Sequence, residues 1–78
     1  MKITLLGLIK RDSNKCYICN KDCDLYDYSV LEDGTICPED MYPTMDHIIP
    51  LSKGGEHKWS NIHLAHKICN SRKGDRIV

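Results

Sequence analysis

The sequence predicts a small α+β domain that is held together by a metal ion. The chain has 78 residues with no phenylalanine and one tryptophan, which is a thin apolar core for a domain that must fold unaided. Two pairs of candidate metal ligands, C-x-x-C and H-x-x-C, lie far apart in the sequence. Short β-prone segments bounded by turn residues lie between two helical segments. One domain, residues 1–78, accounts for the whole chain.

Residues 1–15 are predicted to be the N-terminal helical segment, because Ile3, Leu6 and Ile9 recur at near-helical spacing. The same stretch superficially resembles a secretory signal, but its apolar run is short and is followed by charged residues rather than a cleavage site. No apolar run approaches the roughly 18 residues that a transmembrane helix needs. We therefore expect a cytoplasmic protein with no membrane segment, in which paired cysteines more often bind metal than form disulfides.

Turn and strand signals predict the remaining elements. Asp33-Gly34 between short β-prone runs is a strong hairpin signal, and Pro50 places the next strand at the edge or end of a sheet. The elements expected in order are a hairpin (28–36), a stiff connector (37–44), a strand (45–51), a loop opened by Gly54-Gly55, a second strand (62–65) and a terminal helix (66–76).

A zinc knuckle is predicted at residues 16–19 and 66–69. Pairs of ligands at this spacing let a tight turn present two donors to one ion, and two pairs complete a tetrahedral structural zinc site. The predicted ligands are Cys16, Cys19, His66 and Cys69. Such a site would clamp the N-terminal segment onto the C-terminal helix. Two further cysteines, Cys23 and Cys37, are either alternatives to His66 as the fourth ligand or buried or loop thiols.

The charge is unevenly distributed along a chain whose net charge is zero. Residues 1–45 contain 5 Lys and Arg against 8 Asp and Glu, whereas residues 46–78 contain 6 against 3. A basic C-terminal half suits a polyanionic partner. The alternative is an ordinary solvated helix end.

Motifs in the C-terminal half resemble those of the HNH endonuclease family. From Asp46 the chain contains D-H-I-I-P-L-S-K-G-G, then S-N-I-H-L, then H-x-x-C-N-x-x-K-G. The resemblance covers residues 46–74 and extends to the C-x-x-C at Cys16, leaving residues 20–44 and the first helix outside it. It implies a ββα-metal (His-Me finger) nuclease core over residues 45–76, in which two strands and a helix surround one divalent cation.

The resemblance also implies a role for each matching residue. His47 would be the general base, Asp46 and Asn70 would bind the catalytic cation, and Asn61 would tie down the loop between the strands. Histidine titrates near neutral pH, as a base requires, and one carboxylate with one amide oxygen suits Mg²⁺ or Mn²⁺. Neighbouring strand residues point to opposite faces, so a shared site needs a metal near the strand edge or a local turn of the imidazole.

Two other histidines are weaker candidates for the base. His63 is predicted to face solvent or DNA from the second strand, and His57 to lie in the loop. Four basic residues on or beside the terminal helix could neutralise DNA phosphates without reading sequence. They are Lys67, Arg72, Lys73 and Arg76, of which Lys73 matches the N-x-x-K motif.

The function expected from the resemblance is metal-dependent DNA cleavage or nicking that leaves 5′-phosphate and 3′-hydroxyl ends. The expected cofactors are structural Zn²⁺ and catalytic Mg²⁺ or Mn²⁺. DNA is the expected partner, with phage packaging or restriction proteins as further partners and a phage or prophage as the source. Two alternatives are a zinc-stapled nucleic-acid-binding module without cleavage activity, and a zinc-dependent interaction module that uses the acidic half. Sequence preference and oligomeric state do not follow from the residues.

Overall fold

The computed structural model of the chain describes residues 2–77, which form two helices and two antiparallel pairs of strands. Met1, the first residue of the predicted helical segment, and Val78 lie outside the described residues. The described part is a small α+β domain, as the sequence predicts. Its elements in chain order are α1 (Leu5–Arg11), β1 (Tyr28–Val30), β2 (Ile36–Pro38), β3 (Pro43–His47), 3₁₀ turns at Leu51–Lys53 and Trp59–Asn61, β4 (Ile62–His66) and α2 (Lys67–Lys73).

Helix α1 is shorter than the segment predicted over residues 1–15. Its N-cap is Thr4, whose side-chain oxygen accepts a hydrogen bond from the Gly7 amide at 3.0 Å. After the helix, Ser13 and Asn14 have positive φ angles of 55° and 57°, which a right-handed helix cannot continue through. The predicted segment is therefore a helix of 7 residues followed by a left-handed turn.

The inward face of α1 agrees with the prediction in part. Leu8 is fully buried, and Ile3, Leu5 and Ile9 pack against the same core, so two of the three predicted residues face inward. Leu6, which was expected on this face, has 61% of its surface exposed. Residues three and four apart share a helix face, and the spacing that the fold uses is that of Leu5, Leu8 and Ile9.

The predicted hairpin is confirmed, although its turn is longer than two residues and its second strand, Ile36–Pro38, extends into the segment predicted as a connector. Strands β1 and β2 pair antiparallel, with Val30 opposite Ile36. Gly34 has a φ of 88°, and the Asp33 side chain accepts a hydrogen bond from the Thr35 amide at 2.9 Å. These two residues therefore build the turn, as their sequence signal indicates.

Strands β3 and β4 also pair antiparallel, with Asp46 opposite His63 and His47 opposite Ile62. Strand β4 is one residue longer than predicted, since it extends to His66. This pair of strands carries the D-H dipeptide in its first strand and leads into the terminal helix from its second.

The strand predicted over residues 45–51 begins and ends earlier, because the chain leaves the strand pair after His47. The next two backbone amides both donate to one residue, Asn61, which directly precedes β4. Ile48 donates to the carbonyl oxygen of Asn61 and Ile49 to its side-chain oxygen, each at 2.9 Å. Residues 48 and 49 are therefore bound by an asparagine rather than by a neighbouring strand.

Helix α2 follows β4 directly and is shorter than the helix predicted over residues 66–76. It ends at Gly74, which has a φ of 58° and donates its amide to the Asn70 carbonyl at 3.1 Å. Each of the two helices of residues 2–77 has 7 residues. Neither is long and apolar enough to cross a membrane.

The core is as thin as the composition predicts. It lies where α1 and residues 16–18 pack against β4. The side chain of Arg11 joins these elements, since its guanidinium donates to the carbonyl oxygens of Trp59 at 2.7 Å and Ile62 at 2.5 Å. The buried hydrophobic residues are Leu8, Cys16, Cys23, Ile62, Leu64 and Ala65.

Candidate active site and metal centre

Four metal-ligating side chains converge where the first cysteine pair meets the start of α2. The sulfur atoms of Cys16, Cys19 and Cys69 and a ring nitrogen of His66 all lie within 4.8 Å of one another. His66 Nδ1 is 3.3 Å from the Cys19 sulfur and 3.8 Å from the Cys69 sulfur. Three thiolates and an imidazole are donors typical of structural zinc, so this cluster could hold a zinc ion.

The ring of His66 is oriented by the backbone of Asp22. His66 Nε2 lies 2.9 Å from the Asp22 carbonyl oxygen. A carbonyl oxygen can only accept, so Nε2 carries the proton, and in the neutral imidazole the Nδ1 lone pair faces the sulfur atoms. A hydrogen bond from the far ring nitrogen is the usual way to orient a metal-binding histidine.

The thiols of the cluster differ in their acidity. Burial raises the pKa of Cys16, but backbone amides, among them those of Cys19 and His66, outweigh it and lower that pKa to about 7. Burial, followed by the neighbouring sulfurs of Cys16 and Cys19, raises the pKa of Cys69 to about 12. Crowded thiolates repel one another, and a divalent cation between them removes that repulsion.

The two remaining cysteines lie outside this cluster. Cys23 is buried in the core, and burial raises its pKa to about 12, so it remains a protonated thiol at neutral pH. Cys37 lies half-buried on β2. Cys23 and Cys37 were the alternatives to His66 as the fourth ligand. The structure brings His66, and neither of these cysteines, to the other three ligand atoms.

Asp46 is buried on β3 and binds two side chains from other elements. The Tyr17 hydroxyl donates to its Oδ2 at 2.5 Å. The Lys73 ammonium of α2 lies 3.4 Å from Oδ2 and 3.5 Å from Oδ1. A buried carboxylate requires both hydrogen bonds and a counter-charge, and these two residues provide them.

Tyr17 is a site residue that the sequence reasoning missed. It lies inside the C-x-x-C motif, and its amide donates to the Leu64 carbonyl at 2.9 Å. Burial, then its bond to Asp46, raises its pKa, so its hydroxyl remains a donor. The cysteine cluster and Asp46 are thereby joined through one side chain. No spacing rule relates residues that are this far apart in sequence, so only packing reveals the contact.

His47 is half-buried at the end of β3, and its partner is His57 from the loop. His47 Nε2 and His57 Nδ1 are 3.0 Å apart, and the ring centroids are 5.3 Å apart. In a hydrogen bond at this distance one ring nitrogen donates its proton and the other accepts it. Asp46 and His47 thus have different partners, as expected for neighbours on a strand.

His63, which is predicted to face solvent or DNA, is half-buried. Its Nδ1 lies 3.5 Å from the Asp12 carboxylate, and its ring centroid is 5.7 Å from that of Tyr17. Burial raises the pKa of Asp12, but the Arg11 guanidinium and the Leu64 amide outweigh it, and the net pKa is lowered. Asp12 is therefore a charged anchor between α1 and β4, and its pairing accounts for the position of His63.

Asn61 binds the loop between β3 and β4 with its side chain. Its Oδ1 accepts from the Ile49 amide at 2.9 Å, and its Nδ2 donates to the carbonyl oxygens of Ile49 at 3.0 Å and Glu56 at 2.8 Å. Gly55 lies against the same carbonyl, where a Cβ would overlap the Ile49 oxygen. These contacts account for both the asparagine and the second glycine of the G-G pair.

Replacing Asn61 with alanine should therefore destabilise the fold. Three part-buried hydrogen bonds of the Asn61 side chain are lost. At about 1 kcal/mol each, we expect a decrease of about 3 kcal/mol in the free energy of unfolding. Urea denaturation of the zinc-loaded protein measures this. The matched control is Ser60→Ala at an exposed neighbouring position, which should change stability by less than about 0.5 kcal/mol. Equal effects of the two changes would contradict this role.

Asn70 lies on the face of α2 that packs on β3. Its Nδ2 donates to the Thr44 hydroxyl oxygen at 3.2 Å and to the Met45 carbonyl at 3.3 Å. Both acceptors belong to the two residues that precede Asp46 in the chain. Three residues later on the same helix, Lys73 donates to the His47 carbonyl at 2.9 Å. Helix α2 thus brings an amide and an ammonium to the strand that carries the D-H pair.

A comparison with protein-family models matches residues 16–76 of this chain to the HNH endonuclease family. The chain belongs to this family. The match begins at the first cysteine of the knuckle and includes both ligand pairs, the D-H pair and helix α2. Comparisons with curated proteins and with solved structures gave no match. The HNH domain therefore places this chain in a family of nucleases.

The basic residues near the end of this HNH domain differ in exposure. Arg72 and Arg76 are exposed, and the Arg76 guanidinium donates to the Lys73 carbonyl at 3.1 Å. Lys67 is half-buried and donates to the Pro38 carbonyl at 3.0 Å. Lys73 is the exception, because its side chain is only 1% exposed and is paired with Asp46. Of the predicted phosphate contacts, the two arginines are therefore at the surface and Lys73 is not.

Proposed function

We propose that this HNH protein is a metal-dependent endonuclease or nickase that hydrolyses DNA phosphodiester bonds and leaves 5′-phosphate and 3′-hydroxyl ends. The observation that best supports the proposal is the packing of α2 on β3. It brings Asn70 and Lys73 to the strand segment that contains Asp46 and His47. Such hydrolysis requires a base and oxygen ligands for a divalent cation, which His47, Asp46 and Asn70 could supply.

In this proposal His47 is the general base. It is half-buried at the end of β3, so one side of the ring is accessible to a water molecule. The neighbouring ring of His57 limits how the imidazole can rotate. His47 would take the proton from the attacking water, as histidine can do near neutral pH.

Asp46 and Asn70 are the proposed ligands of a catalytic Mg²⁺ or Mn²⁺. Their oxygen donors are the hard ligands that these cations prefer. The Asp46 carboxylate already attracts a cation, since the Lys73 ammonium lies against both of its oxygens. When bound, the divalent cation supplies neutralisation of charge on the phosphate.

The cysteine cluster is proposed to hold a structural Zn²⁺. Its three sulfurs and one ring nitrogen would supply the four ligands of a structural zinc site, which leaves no position for substrate. Because Tyr17 lies between two of these ligands and bonds to Asp46, the bound ion would also position one wall of the active site.

A nucleic-acid-binding module without cleavage activity is the rival proposal. The contacts of Asp46 with Tyr17 and Lys73 are specific support for it, because they satisfy the carboxylate without a divalent cation. The two proposals differ in whether DNA is cleaved and whether that cleavage requires His47 and the divalent cation.

Incubation of the zinc-loaded protein with supercoiled plasmid tests the main proposal. Nicked or linear DNA should accumulate with Mg²⁺ or Mn²⁺ and not in a buffer free of both, and the His47→Ala protein should cleave far more slowly. DNA binding without any cleavage in either metal would favour the binding module.

Arg72 is expected to strengthen DNA binding through a phosphate contact. Arg72→Gln should weaken binding to all duplex sequences alike, and should reduce the slope of log K against log salt by about 1. Fluorescence anisotropy with an unrelated pair of duplexes measures both quantities. The control is Lys10→Gln, at an exposed position on α1. A loss that depends on sequence, or an equal loss in the control, would contradict a phosphate contact.

A further inference from the structure

Lys73 is an unusual residue because it is a lysine with almost no exposed surface. Its side chain is 1% exposed and that of Asp46 is 7% exposed. Lysine is almost never fully buried unless it is paired. The ammonium has two anchors, namely the Asp46 carboxylate at 3.4 Å and 3.5 Å and the His47 carbonyl oxygen at 2.9 Å. One nitrogen atom thus contacts both residues of the D-H pair.

The position of this ammonium bears on the divalent cation of the proposed function. It lies against both oxygens of the carboxylate that is the proposed metal ligand. The oxygen donors of Asp46 and Asn70 fit a hard cation, and the ammonium is a positive charge that already lies beside the first of these donors. Lys73 and a divalent cation therefore repel each other at the same carboxylate.

We propose that Lys73 is a built-in counter-cation of Asp46, which keeps this carboxylate buried and oriented when no divalent cation is bound and which weakens the binding of that cation. The proposal rests on the assignment of Asp46 as a metal ligand in the proposed function. Lys73 is thus a positioning residue that acts through Asp46, and it does not need to contact DNA.

The other partners of Asp46 support this role. Tyr17 contributes a hydrogen bond but no charge. Among the described contacts of the carboxylate, the positive charge comes from Lys73. Removing one member of a buried ion pair leaves an uncompensated charge, which strongly destabilises a fold. The bond to the His47 carbonyl does not involve Asp46. It can hold Lys73 in place while the carboxylate is shared with a metal ion.

Lys73→Met tests the proposal, because it keeps the length of the side chain and removes its charge. The zinc-loaded variant should bind Mn²⁺ at least about tenfold more tightly than the wild type, which corresponds to about 1.4 kcal/mol. Electron paramagnetic resonance of free Mn²⁺ measures the Kd without any DNA. The matched control, Lys73→Arg, retains the charge and should stay within about threefold of the wild type. A Kd for Lys73→Met that equals or exceeds that of the wild type overturns the proposal.

Thermal unfolding gives a second test, which still decides the question if Lys73→Met folds poorly. In buffer free of divalent cations other than the bound zinc, Lys73→Met should unfold at a lower temperature than the wild type. Added Mg²⁺ should raise its midpoint more than it raises that of the wild type, because binding stabilises the folded state. If Lys73→Met is unfolded until Mg²⁺ is added, the recovery supports the proposal. If Mg²⁺ restores nothing, while Asp46→Asn with Lys73→Met folds, the proposal is overturned.

The Asp46→Asn variant separates this proposal from the proposed function. If Asp46→Asn binds Mn²⁺ as the wild type does, Asp46 is not a ligand, and the assignment in the proposed function fails along with the inference built on it. If Asp46→Asn loses Mn²⁺ binding and Lys73→Met still binds it no more tightly than the wild type, only the role of Lys73 fails. Loss in Asp46→Asn with tighter binding in Lys73→Met supports both.

Discussion

The alanine variant at His47 is expected to lose DNA cleavage by about a thousandfold, within the roughly 10²–10⁴ range that general acid–base catalysis contributes. Its zinc content, its unfolding midpoint and its DNA affinity should remain near those of the wild type. The physical reason is that the His47 side chain is half-buried and bonds to the exposed His57, so its removal leaves no buried polar group without a partner. Plasmid nicking in Mg²⁺, followed over time, measures the loss.

The matched control for this prediction is His57→Ala. The two imidazoles are 3.0 Å apart, so either could be taken for the base from its position alone. We expect His57→Ala to reduce cleavage by no more than about tenfold, because it removes a contact that orients the base and leaves the base in place. If His57→Ala lost more cleavage activity than His47→Ala, His57 rather than His47 would be the general base.

The Cys19→Ser variant is expected to lose bound zinc and with it the folded state. The core of the described chain consists of 6 buried hydrophobic residues, two of which are cysteines. Structural zinc contributes on the order of 10–16 kcal/mol in small zinc-binding peptides at neutral pH, which matches or exceeds the whole stability of about 5–15 kcal/mol of a typical domain. Zinc content per chain and circular dichroism together measure the effect.

Cys37→Ser is the control for this change, since Cys37 is half-buried on β2 and lies outside the metal cluster. It should keep one zinc ion per chain and a melting curve near that of the wild type. Chelation of zinc from the wild type should reproduce the Cys19→Ser result. A chain that retains its circular dichroism spectrum after chelation would show that the core alone stabilises this fold.

Several parts of the fold could be predicted because they depend on neighbouring residues. Asp33-Gly34 predicted the hairpin, since the left-handed φ of Gly34 is a property of that residue. The end of β3 could not be predicted in this way. The strand pattern of Met45–Leu51 continues past His47, but the Asn61 side chain binds the Ile49 backbone, and sequence spacing does not encode a partner twelve residues away.

The same distinction applies to the site. The four members of the metal cluster could be named from the sequence, because C-x-x-C and H-x-x-C bring donors together within one turn and a closed zinc site needs two such pairs. The D-H, N and N-x-x-K positions were likewise readable as motifs. The contacts of Tyr17 and His57 were not, because each joins elements that meet only in the folded chain.

The sequence by itself determined the small α+β class, the candidate zinc ligands and the resemblance to the HNH family, since these depend on residue types at short spacings. The tertiary structure alone decided that Leu8 rather than Leu6 faces the core, and that Lys73 is buried against Asp46. In each case the sequence leaves several faces or partners open. The packing of α1 and α2 on β3 and β4 chooses among them, because a buried apolar face needs a surface to cover it and a buried charge needs a partner.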